Sequence, residues 1–162
     1  MKAIIIVASL MLMLAACDST RIYEVNKDFP DPEWIVSDKP SFEFKIDNTD
    51  LKYNLFVNVR NEISYPKANL YFTYYLMDSA GTVLEKDLIT KFLFDKKTGE
   101  PEGSSVLGDI YDHQFLLLKD FQFQYPGKYT VQYEQFMRMD TLDGVLALGL
   151  RVEKVKAKKS DD

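Results

Sequence analysis

The chain has 162 residues, a formal net charge of −5, one cysteine and one histidine, with 46% apolar and 14% aromatic residues. That length suits a single domain with a full core. The acidic balance argues against a nucleic-acid surface, which needs clustered Lys and Arg, and one cysteine rules out a disulfide framework or a thiolate metal site.

In chain order, Lys2 precedes an apolar block from Ala3 to Leu14 that ends at Ala15, Ala16 and Cys17. A charged start, a short apolar stretch and small residues before a cleavage point make a signal peptide over residues 1–16. The block is about a dozen residues, too short to span ~30 Å of hydrocarbon. A cysteine directly after Ala15 and Ala16 resembles the lipobox of bacterial lipoproteins; the alternative is an ordinary signal peptide followed by an unremarkable cysteine. In lipoproteins the thiol receives a diacylglycerol, the peptide is cut before the cysteine, and the new amino group is acylated. The resemblance implies a mature chain of 146 residues (162 less 16) that begins at Cys17 and, without Lys2, has a charge of −6. Acyl chains contribute ~0.8 kcal/mol per buried CH₂, so two or three hold a protein on a membrane. No later segment is apolar for 18 residues in a row, so the remainder reads as a folded domain tethered to a bilayer.

Residues 17–41 read as the lipidated Cys17 and a polar linker, punctuated by Pro30, Pro32 and Pro40 and containing Trp34. Asp28, Asp31, Glu33 and Asp38 lack the spacing of a calcium loop. From Phe42 onward, period-two alternation dominates. Phe42, Phe44 and Ile46 share one face. Tyr53, Leu55, Val57 and Val59 alternate with Asn54, Phe56, Asn58 and Arg60. Leu70, Phe72, Tyr74 and Leu76 oppose Tyr71, Thr73, Tyr75 and Met77, a strand apolar on both sides. A turn at Asp78–Gly81 leads into a strand from Val83 to Phe94, broken at Lys86 and Asp87. Residues 95–108 read as a long loop, with one helical turn at Tyr111–His113. Tyr129, Val131 and Tyr133 share a face with Met137, opposite Glu134 and Arg138. Leu146 to Val152 closes the domain. The expectation is an all-β fold over 42–155: an antiparallel β-sandwich of about eight strands, Greek-key or jelly-roll like. Residues 156–162 form a charged tail, either solvated or in contact with headgroups.

The chemistry-bearing residues are sparse. His113 has Asp109 and Asp112 nearby but no metal-ligand spacing and no serine elbow. Glu134 and Glu153 are a conceivable carboxylate pair for glycoside hydrolysis; surface charges are the plainer reading. There is no phosphate loop or nucleotide motif, so no catalytic residue, metal or cofactor is expected. Phe56, Tyr71 and Tyr75 lie opposite the main apolar stripe. They form a second covered layer, a surface for a protein partner, or a stacking platform for a glycan. Asp109, Tyr111 and Asp112 form a loop end that caps itself or docks a partner. Arg60, Arg138 and Arg151 either hold structural carboxylates or rim a partner surface.

An ordered series of residues points further. It runs Cys17-Asp18-Ser19, Arg21-Ile-Tyr23-Glu24, Tyr53-Asn-Leu-Phe-Val-Asn-Val-Arg60-Asn61, Tyr65-Pro66 and Asn69-Leu-Tyr-Phe72. It continues through Gly108-Asp-Ile-Tyr-Asp112, Tyr125-Pro-Gly-Lys-Tyr129, Glu134-Gln-Phe-Met-Arg138 and Gly149-Leu-Arg-Val-Glu-Lys154. This series resembles the gliding-motility lipoprotein GldH family of Bacteroidota across nearly the whole mature chain. The resemblance implies a non-enzymatic envelope lipoprotein that supports gliding over surfaces and the linked type IX secretion machinery. It also implies a membrane contact through lipid on Cys17 and other envelope proteins as partners. Asp18 after the cysteine resembles an inner-membrane retention signal of some bacteria, and the residues beyond it lack the acidic run that accompanies surface export. A periplasm-facing anchor in the inner or outer membrane is therefore expected.

Overall fold

The computed structural model describes residues 18–156. The signal peptide, Cys17 and the last six residues of the tail lie outside the described residues. Among the described residues there is no helix, and eleven strands follow one another in antiparallel pairs. They are β1 (Arg21–Asp28), β2 (Glu33–Ile35), β3 (Ser41–Ile46), β4 (Tyr53–Glu62), β5 (Asn69–Asp78), β6 (Val83–Phe92), β7 (Ser104–Leu107), β8 (Ile110–Phe121), β9 (Gly127–Gln135), β10 (Thr141–Asp143) and β11 (Val145–Lys154).

One sheet has the order β1-β11-β4-β8-β7, the facing sheet β3-β9-β5-β6, and β10 pairs with β2 in a small ribbon. The hairpin β5–β6 is the innermost pair, nested within β4–β8, β3–β9 and β1–β11. A long antiparallel ribbon rolled up in this way is a jelly-roll sandwich. The nesting explains the alternation of the sequence. Tyr53, Leu55, Val57 and Val59 are buried while Asn54, Phe56, Asn58 and Arg60 are half-buried on the outer face. Tyr129, Val131 and Tyr133 are buried in the same manner from the facing sheet.

Aromatic side chains fill the space between the sheets. Phe44, Phe123 and Tyr129 meet with ring centroids 4.5–6.1 Å apart, and Tyr53 meets Phe123 edge-on at 5.6 Å. Tyr133 crosses the core, donating its hydroxyl to the Gly149 carbonyl on the opposite sheet at 3.2 Å. Burial pushes that phenol well above its ordinary range. A core of this kind stands in for the missing disulfides.

Residues 18–41 depart from the expected linker. Arg21–Asp28 forms an edge strand, because β11 would otherwise present an open ladder. Trp34 is completely buried, against Phe72 at 6.4 Å and Phe29 at 6.1 Å, with its indole N–H on the Asp38 carbonyl at 2.8 Å. Three smaller expectations also change. Tyr111–His113 is strand, not a helical turn, since β8 must pair with β4 along its length. The segment 95–108 is not all loop but contains β7. Strand β6 runs unbroken through Lys86 and Asp87, which an edge strand tolerates because those side chains reach water.

Replacing Trp34 with Ala should cost about 3–5 kcal/mol, as for other large buried aromatics. Urea unfolding followed by circular dichroism checks this. Tyr125→Ala, at a residue 70% exposed, should stay within about 0.5 kcal/mol of the parent.

Candidate functional site

The topology gives the sandwich two unlike ends. One end gathers the start of β1, the end of β11, and the loops 47–52, 79–82 and 122–126. The other gathers the longer connections 29–40, 63–68, 93–103 and 136–140. Two outer sheet faces lie between them.

The outer face of the β1-β11-β4-β8-β7 sheet is polar and carries a groove of about 290 Å³. Asn58 Nδ2 donates to Asn26 Oδ1 at 3.0 Å and to Glu24 Oε1 at 3.1 Å, while Gln114 Nε2 donates to Asn58 Oδ1 at 3.0 Å. These amides, from β1, β4 and β8, meet across β11 because Gly149 lies beneath them. A Cβ there would fall 1.8 Å from Asn26 Oδ1, so only glycine lets Asn26 lie flat. One step along, Arg60 grips Asp112 with two bonds of 2.7 and 2.9 Å. One step the other way, Arg151 holds Glu24, Glu153 and Asp18. Burial alone would raise Glu24, but hydrogen bonds from Arg21 and Asn58 and the charge of Arg151 hold it below the usual carboxylate range.

The outer face of the other sheet carries a different network. Tyr75 donates its hydroxyl to Glu134 Oε2 at 2.5 Å, Lys39 bridges Glu134 Oε1 at 2.6 Å, and Lys86 sits 4.8 Å above the Tyr75 ring. The hydrogen bond to Glu134 raises the Tyr75 phenol, and those from Lys39 and Tyr75 lower the Glu134 carboxyl. Tyr75 is thus committed within the fold.

Tyr71 is different. It is 43% exposed and adjoins two connections, one carrying Phe136, 54% exposed, and the other Val36, 41% exposed. The Phe136 amide bonds to the Tyr71 carbonyl at 3.0 Å and the Val36 amide to the Asp140 carbonyl at 2.8 Å, which stitches the three segments together. An apolar hollow of about 230 Å³ lies among Val36, Phe136, Arg138 and Met139. Arg138 is exposed, makes no ion pair among the described residues, and adopts φ 58°. For a residue other than glycine that backbone costs roughly 1–3 kcal/mol and persists only where the surroundings impose it. It lies past the end of β9 rather than on the strand face expected for it.

The residues singled out from the sequence therefore separate. Phe56 faces outward on one sheet, beside Leu116 and Arg151, whereas Tyr71 and Tyr75 face outward on the other. They share no surface and cannot form a single stacking platform. Asp112 is taken by Arg60, Tyr111 is half-buried between Asn61 and Ser105, and Asp109 offers its backbone carbonyl to the Ile63 amide at 2.7 Å. Glu134 and Glu153 stand on the outer faces of opposite sheets, which removes them as a carboxylate pair. Among the described residues no three His, Cys, Asp or Glu side chains are grouped to hold a metal, and no helix is long and apolar enough to cross a membrane. Phe136, Val36 and Met139 were not legible as site residues; the one available signal was the break in alternation after Gln135.

The family model described as GldH lipoprotein matches residues 21–152, from the first residue of β1 to the penultimate pair of β11. The class is therefore a lipid-anchored protein of the cell envelope, built on a β-sandwich. The chain belongs to the GldH lipoprotein family. It is 28% identical over 152 residues to a gliding motility lipoprotein GldH homolog of Christiangramia forsetii, covering 89% of this chain and 90% of that one. It is 25% identical to the gliding motility lipoprotein GldH of Flavobacterium johnsoniae, covering 88% and 90%. Among solved structures, the protein of infectious bursal virus derived T=1 particles superposes with a TM-score of 0.47 at 14% identity. That match covers 84% of this chain and only 32% of the viral one.

His113 gives this region a pH dependence. It is buried on β8, stacks on Phe115 at 5.5 Å, and its Nε2 has no partner. Gly103 rests so closely on the ring that a Cβ would fall 2.7 Å from Nε2. Burial holds the imidazole below its ordinary value of 6.5, with only partial opposition from Asp112. The unfolded chain therefore takes up the proton first as pH falls. Stability should be greatest above pH 6.5 and decline as pH drops through that value. Urea midpoints between about pH 8 and pH 5.5 should show this step in the parent protein and lose it in His113→Phe.

Proposed function

We propose that this protein is a non-enzymatic component of the machinery for gliding and the linked type IX secretion, and that it acts by binding another envelope protein through the Tyr71–Phe136 patch. The observation that carries the reading is the patch itself. Tyr71, Phe136 and Val36 are apolar and exposed, with the half-buried Met139 beside them, around an Arg138 that makes no ion pair among the described residues. Aromatic, Met and Arg side chains are the types that dominate the energetics of protein interfaces. The partner is expected to present an apolar projection for the hollow and a carboxylate for Arg138. Membership of a family whose curated relatives are named for gliding motility supports the process. The lipid on Cys17 keeps the domain in the envelope, facing the periplasm.

Tyr71→Ala combined with Phe136→Ala should leave folding intact and abolish the specific in-cell crosslinks of the tagged lipoprotein. An unchanged set of crosslinked envelope proteins would reject the patch. Cys17→Ala should release the protein from the membrane fraction.

A second reading is favoured by one observation, the polar groove on the opposite face. Asn26, Asn58, Gln114 and the Arg60–Asp112 pair present planar donors and acceptors to a groove of about 290 Å³, with Phe56 one step along. Such groups suit vicinal hydroxyls of a glycan. Titration calorimetry against a panel of surface polysaccharides should then show binding that Asn58→Ala and Arg60→Ala weaken at least tenfold. A flat isotherm across the panel would dismiss this reading.

A further inference from the structure

The N-terminus of the described chain has no slack. Asp18 is bound by Arg151 on β11, and its Oδ1 accepts from the Thr20 amide at 3.1 Å and the Thr20 hydroxyl at 2.6 Å. The Thr20 carbonyl accepts the Lys154 amide at 2.8 Å, and β1 begins one residue later. Hydrogen bonds from Thr20, followed by the charge of Arg151, hold the Asp18 carboxyl at about 2, so it stays ionised and bound across the physiological range. Asp18 directly follows Cys17 in the sequence, so the residue next to the proposed lipid site is held on the sandwich. The expected linker would have let the domain wander; the structure fastens it at its own base.

The same base has a composition suited to a membrane surface. Tyr125 projects from loop 122–126 and is 70% exposed, among the most exposed of the large apolar side chains. Its loop is held rigid: the Tyr129 hydroxyl bonds to the Tyr125 carbonyl at 2.6 Å, and Gln122 bonds to the Thr49 carbonyl of the neighbouring loop at 3.0 Å. That neighbouring loop is braced by the Tyr53 hydroxyl on the Asn48 carbonyl at 2.7 Å. Lys52, Lys154 and Lys156 are exposed here and make no ion pair among the described residues. By contrast, Lys45 and Lys128 are neutralised by Asp47 and Glu43, each at 2.7 Å. Asp50 is the counterweight, an exposed acid in the same turn. A tyrosine on a rigid tip flanked by long cationic side chains is the pattern of residues at the headgroup level of a bilayer.

We infer that this end of the sandwich is a second, non-covalent membrane contact, in which Tyr125, Lys52, Lys154 and Lys156 sit among phospholipid headgroups once Cys17 is acylated. The inference rests on the lipid-anchor reading of Cys17. With that end on the bilayer, strands of ten residues rise about 33 Å at ~3.3 Å per residue toward the far end. The Tyr71–Phe136 patch then points away from the membrane, about one strand length from the headgroups.

The test uses the acylated protein in vesicles of phosphatidylethanolamine and phosphatidylglycerol. Acylation consumes the chain's one thiol, so Gln124→Cys beside Tyr125, and Asp140→Cys at the far end, each take a single nitroxide. The label at 124 should collide several-fold more readily with oxygen than with a water-soluble nickel chelate, relative to the label at 140. Adding Tyr125→Ser to Gln124→Cys should reduce that preference. Equal, water-like accessibility at both positions in acylated protein would overturn the inference alone. A parent protein whose Cys17 still labels as a free thiol, without the mass of acyl chains, would overturn the anchor and the inference together.

Discussion

The pairing of β1 with β11 is the constraint on which the rest of the molecule depends. It completes the outermost turn of the rolled ribbon, covers a ladder that would otherwise be open, and brings the chain at Asp18 and Thr20 onto the end of β11. Arg151 is the electrostatic centre of that pairing. Its guanidinium, 17% exposed, meets Asp18, Glu24 and Glu153. Three carboxylates brought so close repel one another unless a cation lies between them. The planar fork of arginine can serve several oxygens at once, which a lysine ammonium does less well. A single residue thus joins the N-terminus, the first strand and the last strand.

The two ends of the sandwich divide the work that follows. At the base, short loops are braced by Tyr53, Gln122 and Tyr129, which tie loops 47–52 and 122–126 to each other and to the strands. At the far end the connections are longer and contain Phe136, Arg138 and Val36. Trp34 and Leu142, from the β2–β10 ribbon, close the core beneath them. The apolar patch is therefore mounted on a plugged core rather than on free loops, which lowers the entropy that a partner must overcome.

How much of this the sequence disclosed depends on where each residue's neighbours come from. Strands β4 and β9 are central, so burial on one face and polarity on the other left a clean period of two. Strand β1 is an edge: only Ile22 and Tyr23 pack on the core while Val25 is 40% exposed, and the pattern is too weak to announce a strand. Trp34 sits in a proline-rich stretch and is buried because of β10, more than a hundred residues away. Nothing local records that. Similarly, Phe56 and Tyr71 share the same strand-level signal, outward and aromatic. Only the topology shows that one lies on the polar sheet face beside Leu116 and Arg151 and the other beside the apolar patch. The alternating pattern carries through Met137 and Arg138, past the end of β9 at Gln135, and only the polar Gln135 on the inward face interrupts it.

An open edge is a ready template for another chain, yet each edge here is obstructed. On β6, Glu85 and Asp87 stand opposite the buried Leu76 and Tyr74, so they point toward the gap between the sheets and remain exposed. A strand added there would have to bury two carboxylates. Lys91 from β6 reaches over Phe115 and the Leu116 carbonyl of β8, closing that side. On the other side, Lys27 of β1 bonds to the Ser41 carbonyl of β3, tying the edges β1 and β3 together. The outer edge of β7 is only four residues long. With strand addition hindered at these places and the polar groups of both sheet faces largely paired within the fold, the Tyr71–Phe136 patch offers an apolar surface that a partner could cover without adding a strand.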